Sequence, residues 1–129
     1  MAKKILVADD EAHILHVVSL KLRNAGFEVL TAADGEEALD EAIAERPDLV
    51  ITDFHMPVMD GMELCCKLRA HPQTASVPAI MLTARGYALD PEDRERTNIR
   101  SVLSKPFSPR ELLANVQEVL DGSPIVGST

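Results

Sequence analysis

The sequence predicts an α/β fold, in which a five-stranded parallel sheet of strand order 2-1-3-4-5 carries helices on both faces. Apolar segments of strand length alternate with segments of helical periodicity five times along the chain. The first, third and fourth strand segments are nearly continuous apolar runs, which is typical of strands covered on both faces. The connections are short. The order 2-1-3-4-5 is inferred because it places the first and third strands side by side.

The five predicted strands are short runs of aliphatic and β-branched residues bounded by charged or turn-forming residues. The first run ends before Asp9, and the third ends before Asp53. The last run ends before Lys105. Together the predicted strands cover residues 4–8, 27–32, 49–52, 78–82 and 101–104.

The helix starts are marked by capping residues. Asp34, Asp60 and Ser108 each stand three residues before a glutamate, which is the pattern of a helix N-terminus. These three residues therefore have a sufficient local role and are weak candidates for chemistry. The segment 86–98 is charged and interrupted by Pro91, so only a short, mobile helix is expected after Asp90.

Composition limits the class of protein. With 129 residues, the chain is expected to form one domain over residues 1–121, followed by a flexible tail over residues 122–129. A net charge of -8 argues against nucleic acid as a direct partner. The adjacent Cys65 and Cys66 are expected to be reduced thiols of a cytoplasmic protein. The apolar stretch near the N-terminus is too short for a secretion signal or for membrane insertion.

Charged residues end three of the predicted strands. Asp9 and Asp10 follow the first, Asp53 the third and Lys105 the fifth. The carboxyl ends of parallel strands lie where open α/β sheets bind ligands, so these side chains are expected to converge. Two carboxylates about 5 Å apart repel by roughly 3 kcal/mol at an effective dielectric near 20. A hard cation such as Mg²⁺, Mn²⁺ or Ca²⁺ would offset that repulsion.

A simpler interpretation is that Asp9 or Asp10 caps the following helix. Capping accounts for one aspartate, but not for a second aspartate together with Asp53. His13 and His16 lie three residues apart on the same predicted helix, which permits metal binding. Because no third ligand is evident, a solvated helix face is the favoured interpretation of the two histidines.

These residues resemble the receiver domain of two-component response regulators, from Lys4 to Leu120. Each motif is weak alone, but four of them occur in order, each at a strand end. They are Asp9-Asp10-Glu11, Asp53-Phe54-His55-Met56-Pro57-Val58-Met59-Asp60-Gly61, Thr83-Ala84 and Lys105-Pro106-Phe107.

The resemblance implies a flavodoxin-like sandwich that works as a phosphorylation switch. Asp53 would accept a phosphoryl group from phosphohistidine on a sensor histidine kinase or a histidine phosphotransfer protein. Asp10 and Asp53 would ligate Mg²⁺ directly, Asp9 largely through water, and the His55 carbonyl would add a ligand. Mn²⁺ or Ca²⁺ could replace Mg²⁺.

The resemblance also assigns the other side of the pocket. Lys105 would pair with Asp53 and then with the phosphoryl group, Thr83 would donate its hydroxyl to a phosphoryl oxygen, and the Lys105–Pro106 bond would be cis. The protein would catalyse its own phosphorylation and slow dephosphorylation, without being an enzyme for another substrate. It would signal by contact with an unknown downstream protein, and a chain ending at its fifth helix suggests a stand-alone switch.

The chain departs from the family pattern at two places. Val102 stands where the family usually has Tyr or Phe, so the usual coupling of Thr83 to an aromatic ring is not expected. The segment 85–100 lacks the common Gly- and Ala-rich pattern. Its Arg94, Arg96 and Arg100 are more simply explained by pairing with nearby acids than by a partner surface. In the family, the positions of His55 and Arg85 flank the path of the hydrolytic water, and shielding by these two residues is expected.

Three other functions are weaker alternatives. A haloacid dehalogenase phosphatase would carry Asp-x-Asp after its first strand, whereas Asp9 and Asp10 are adjacent. A flavin binder would need a Ser-, Thr- or Gly-rich phosphate loop where Asp9-Asp10-Glu11 would repel phosphate. A receiver used only for docking would not need the complete set of acids.

Overall fold

The computed structural model describes residues 2–84 and 89–122. Five parallel strands form one sheet in the order β2-β1-β3-β4-β5, so the predicted topology is confirmed. Arg85 and most of the predicted tail (residues 123–129) lie outside the described residues. The strands are β1 (Lys4–Ala8), β2 (Glu28–Ala32), β3 (Leu49–Asp53), β4 (Ala79–Thr83) and β5 (Ile99–Ser104).

The fifth strand begins two residues before its predicted start, at Ile99. The strand register moves from Ala79 opposite Ile99 to Ile80 opposite Ser101, so Arg100 is an extra residue in β5. Arg100 is exposed between two buried neighbours. Such a bulge puts a charged residue inside a short strand. The charge interrupts the apolar run, so the sequence pattern did not predict the first two residues of the strand.

Three helices begin directly after the predicted capping residues Asp34, Asp60 and Ser108. The helices are α1 (Ala12–Asn24), α2 (Gly35–Glu45), α3 (Gly61–Ala70), α4 (Pro91–Arg96) and α5 (Pro109–Leu120). Asp34 and Asp60 each accept a hydrogen bond of 2.8 Å from the backbone N–H three residues later. Ser108 forms a full capping box with Glu111.

The sheet separates two apolar layers. Residues of β1 alternate between them: Ile5 and Val7 face the layer that includes residues of α1 and α5, whereas Leu6 and Ala8 face residues of α2 and α3. All four side chains are fully buried. Each strand residue thus fixes one of the two helix layers against the sheet.

The short helix expected after Asp90 is present as α4, which contains no buried residue. The Asp90 side chain caps it by accepting a 2.9 Å bond from the Asp93 N–H. Arg96 pairs with Asp93 at 2.7 Å on the exposed surface, in keeping with the interpretation of these charges as solvated. Beneath this corner lies a small apolar cluster that includes Cys65, Met81 and Ile99.

Two helix starts pack against the segment between β3 and α3 without room for a side chain. A Cβ atom at Gly61 would overlap the carbonyl oxygen of Asp53, and one at Gly35 would overlap that of Met59. The backbone N–H of Gly61 donates to the Phe54 carbonyl at 2.8 Å. The start of α3 is therefore fixed directly against the end of β3.

Candidate functional site

The parallel register brings the ends of four strands to one edge of the sheet. Backbone hydrogen bonds continue beyond the strands, from the Asp9 N–H to the Ala32 carbonyl at 3.1 Å and from the Lys105 N–H to the Thr83 carbonyl at 2.7 Å. Asp53 is the last residue of β3. These bonds fix the main chain beneath each charged side chain, so the site is built on rigid strand ends.

Three carboxylates form the floor of the site. Asp9, Asp10 and Asp53 each offer an oxygen, and these oxygens lie within 4.8 Å of one another. Asp9 and Asp53 are buried, while Asp10 is exposed. The predicted convergence of the three acids is thus present in the structure. A cluster of hard oxygen ligands open on one side suits a divalent cation with remaining water ligands.

Lys105 supplies the positive charge opposite this floor. Its Nζ lies 3.3 Å from Asp53 Oδ1 and 3.5 Å from Asp9 Oδ2. It also lies 3.3 Å from Glu11 Oε1, a contact that was not predicted. Within the described residues, Lys105 is the partner in every ion pair found for Asp9, Glu11 and Asp53.

Burial controls the protonation of the site. Burial raises the pKa of Asp9 to about 6, with a further increase from the charge of Asp53, against the opposing effects of the Glu11 N–H and Lys105. Burial also raises the pKa of Asp53, although Lys105 opposes this. Burial alone would lower the pKa of Lys105, but the charges of Asp53 and Asp9 outweigh it and raise that pKa. The metal-free site therefore holds its negative charge at an energetic cost.

Two buried oxygens of the site make no hydrogen bond within the described part of the chain. Asp9 Oδ2 has only the 3.5 Å contact with Lys105, and Thr83 Oγ1 has no hydrogen-bond partner there. Buried polar atoms without partners are costly and rare in folded proteins. An unpaired carboxylate oxygen fits a cation, and an unpaired hydroxyl fits an anion oxygen.

The carboxylates open into a cleft of about 760 Å³ between α1 and the segment after β5. One side is acidic, through Asp10, Glu11 and Asp53, and the other is apolar. The apolar wall consists of Ile14, Val17, Val18, Pro106, Phe107 and Pro109. The cleft thus combines an acidic side with an apolar wall.

Some of the predicted residues line the cleft and others lie outside its lining. His55 and His13 line it, and the Lys105–Pro106 bond is cis as the resemblance implied. His16 is exposed and lies outside the cleft lining, in keeping with a solvated face. The coordination by the His55 carbonyl stays a prediction.

Comparison with known proteins identifies the site. The model of the response regulator receiver domain matches residues 5–117. The chain belongs to the receiver domain family. Receiver domains act as phosphorylation-activated signalling switches of two-component systems and bind Mg²⁺ at an acidic site, where this chain has its three aspartates.

Curated relatives of this receiver domain include longer regulators. The alkaline phosphatase synthesis transcriptional regulatory protein PhoP of Bacillus subtilis is 42% identical over 125 residues, covering 97% of this chain and 51% of that protein. The probable transcriptional regulator ycf27 of Cyanophora paradoxa is 43% identical over 118 residues, covering 92% of this chain and 48% of that protein. This receiver domain spans about half the length of these relatives.

Solved structures share the whole receiver fold. The chemotaxis response regulator CheY4 of Vibrio cholerae has a TM-score of 0.85 and 39% identity, covering 92% of this chain and 99% of that one. The receiver domain of sensor histidine kinase PA1611 from Pseudomonas aeruginosa PAO1 has a TM-score of 0.82 and 30% identity, covering 94% of this chain and 99% of that one. The latter structure has a magnesium ion in its active site cleft.

Two features of this receiver domain bear on its switching. Val102 is half-buried in β5 opposite Met81 and packs against the small apolar cluster beside α4. The expected shielding by His55 and Arg85 stays a prediction, because Arg85 lies outside the described residues.

Within the described ranges, no helix has the length and apolar character needed to cross a membrane.

Proposed function

We propose that Asp53 is the phosphoacceptor of this receiver domain. The observation that carries the proposal is the position of its carboxylate, which is nearly buried, 3.3 Å from Lys105 Nζ and beside two further aspartates. An oxygen of Asp53 would bond to phosphorus as the bond from phosphorus to the donor imidazole nitrogen breaks, and the imidazole would keep the electron pair. The phosphoryl group would then form an acyl phosphate on β3.

Asp10 and Asp53 would hold Mg²⁺ directly, with Asp9 acting largely through water and the His55 carbonyl as a further ligand. The unpaired Asp9 Oδ2 and the mutual repulsion of the three acids support this set. When bound, the metal neutralises charge on phosphoryl oxygens, and Mn²⁺ or Ca²⁺ could replace it. The chain would catalyse its own phosphorylation and slow dephosphorylation, without acting as an enzyme on another substrate.

Lys105 and Thr83 would hold the phosphoryl group from the other side. Lys105 would transfer its hydrogen bonds from the Asp53 carboxylate to a phosphoryl oxygen, since the ammonium has three donors. The hydroxyl of Thr83, which lacks a partner among the described residues, would donate to another oxygen. Both groups stabilise charge without any change in their own protonation.

The donor would be a sensor histidine kinase or a histidine phosphotransfer protein, and the signal would pass to a downstream protein by direct contact. The net charge of -8 supports a protein partner over nucleic acid for this domain. We assign the receiver function to residues 1–121, with residues 122–129 as a tail, and place the protein in the cytoplasm. The adjacent cysteines, both free, support that location.

Acetyl phosphate provides a direct test. With Mg²⁺, intact-mass measurement should show one added phosphoryl group on the wild type and none on Asp53→Asn, because the amide lacks the nucleophilic oxygen. Asp34→Asn is the matched control, since asparagine caps a helix as well as aspartate does. It should be labelled like the wild type.

Labelling of Asp53→Asn at the wild-type level would place the acceptor elsewhere. A complete lack of labelling of the folded wild type would instead favour a receiver that serves only for docking. The intact set of acids, with Lys105 in contact with two of them, argues against that alternative.

A further inference from the structure

Glu11 occupies a helix-capping position without capping the helix. It is the N-cap residue of α1, yet its side chain accepts no hydrogen bond from the first turn. Serine, threonine, aspartate and asparagine are the residues that normally cap at this position. Its main chain is fixed separately, because its N–H donates to Asp9 Oδ1 at 2.9 Å and its carbonyl accepts from the Leu15 N–H at 3.1 Å. The side chain is therefore free for another contact.

That contact is with Lys105. Lys105 Nζ donates to Glu11 Oε1 at 3.3 Å, the same distance as to Asp53 Oδ1. The Glu11 side chain is 60% exposed and that of Asp53 is 8% exposed. Glu11 thus draws the ammonium toward the mouth of the cleft, while Asp53 draws it toward the floor.

We propose that Glu11 is a positioning residue, which holds Lys105 at the mouth of the cleft in the unphosphorylated protein and competes with the phosphoryl group for its ammonium. The inference rests on the proposed function, because the competition matters only if Asp53 is phosphorylated. An ammonium has three donors, and a donor that binds Glu11 is withheld from a phosphoryl oxygen. The contact of Lys105 with Glu11 then slows phosphorylation, because it opposes the movement of the ammonium toward the phosphoryl group.

The first test compares rates of phosphorylation by acetyl phosphate in saturating Mg²⁺. Glu11→Gln should be labelled about two- to five-fold faster than the wild type, which corresponds to the loss of one exposed ion pair. Its melting temperature should fall by no more than about 4 °C, since the contacts of the main chain are kept and only one exposed ion pair is lost. A merely structural role for Glu11 would lower the melting temperature and leave the rate unchanged.

Glu11→Asp separates the contact from the general effect of negative charge. Aspartate keeps the charge but is one methylene shorter, so it should lose Lys105 and cap α1 instead. We expect it to be labelled as fast as Glu11→Gln and to melt at a higher temperature. If the negative field alone slowed the donor, Glu11→Asp would behave like the wild type.

An equilibrium measurement checks the movement of Lys105 directly. In the wild type, the carboxylate carbon signal of Glu11 should shift when beryllofluoride and Mg²⁺ are added, toward its position in Lys105→Met. An unchanged signal, or wild-type rates for both Glu11 variants, would overturn the inference about Glu11. The proposed function would still stand in that case, provided that Asp53 is phosphorylated. A wild type that takes up no phosphoryl group would overturn both.

Discussion

The two edges of the sheet carry similar charges in different surroundings. At the amino-terminal edge, Lys4 Nζ lies 3.1 Å from Glu45 and 3.7 Å from Glu28, and the Lys4 N–H donates to Asp48 at 2.8 Å. The side chains of Glu28 and Glu45 are 57% and 44% exposed. The hydrogen bond that the Lys4 ammonium donates to Glu45 raises the pKa of Lys4. Water reaches these acids, so their ion pairs with Lys4 contribute little to stability.

The carboxyl-terminal edge also sets one lysine among three carboxylates within the described residues, but two of the acids are buried. The side chain of Asp9 is 0% exposed and that of Asp53 is 8% exposed. Removal of water strengthens both the attraction to Lys105 and the repulsion between the acids. The comparison shows that burial, not the number of charges, turns a group of ion pairs into a site that gains from a cation.

The largest expected difference between the edges is their response to Mg²⁺. Bound metal stabilises the folded state by mass action, by about 3 kcal/mol at one hundred times the dissociation constant. Thermal unfolding with increasing Mg²⁺ should show this stabilisation in the wild type and in Asp48→Ala at the exposed edge. Asp10→Ala should lose most of it, and a full response in that variant would show that Asp10 is not a ligand.

A second difference concerns the charge of Asp9 without metal. Its pKa of about 6 in the folded protein lies above the ordinary value of 3.8. The folded state therefore binds this proton more tightly, and the free energy of unfolding falls as the pH rises from about 4 to about 6. In EDTA near pH 7.5, Asp9→Asn should be more stable than the wild type by about 1–3 kcal/mol.

Chemical denaturation of Asp9→Asn at two pH values measures this effect. The stabilisation should disappear near pH 3.5, where the carboxyl is protonated in both states. Glu45→Gln is the matched substitution at the exposed edge and should change stability by less than about 1 kcal/mol at either pH. An equal gain in stability in both variants would show that the burial of Asp9 is not the cause of the stabilisation.

The smallest expected difference is between the two lysines. Lys105→Met leaves two buried carboxylates without their counter-charge and should cost about 1–2 kcal/mol in metal-free protein at neutral pH. The cost stays moderate because the Lys105 side chain is 25% exposed. Lys4→Met should cost clearly less than Lys105→Met in the same denaturation measurement, because its partner acids are exposed. Equal costs would mean that water reaches both edges alike.

Most of the fold followed from the sequence, because the apolar runs of β1, β3 and β4 match strands that are buried on both faces. The helix starts followed from Asp34, Asp60 and Ser108, whose capping depends on local spacing alone. The start of β5 did not, because its bulge at Arg100 depends on pairing with a strand distant in sequence.

The site was predictable in position but not in its electrostatics. Parallel strands ending in Asp9, Asp53 and Lys105 must meet at one edge, and the sequence showed those ends. The burial of Asp9 beside the exposed Asp10 depends on the direction of the chain after β1, which residue types do not reveal. The contact of Glu11 with Lys105 joins residues 94 positions apart. Its one local signal was a glutamate at a capping position, which is unusual there.

The two glycines that pack against the segment after β3 have an evolutionary consequence. Any side chain at Gly61 or Gly35 would overlap a backbone oxygen, whether or not the cleft performs any chemistry. A descendant of this chain that lost Asp53 and ceased to be phosphorylated would still be under selection to keep both glycines. In such a lineage the acids and Lys105 could drift, and the retained glycines would record the ancestry of the domain rather than its activity.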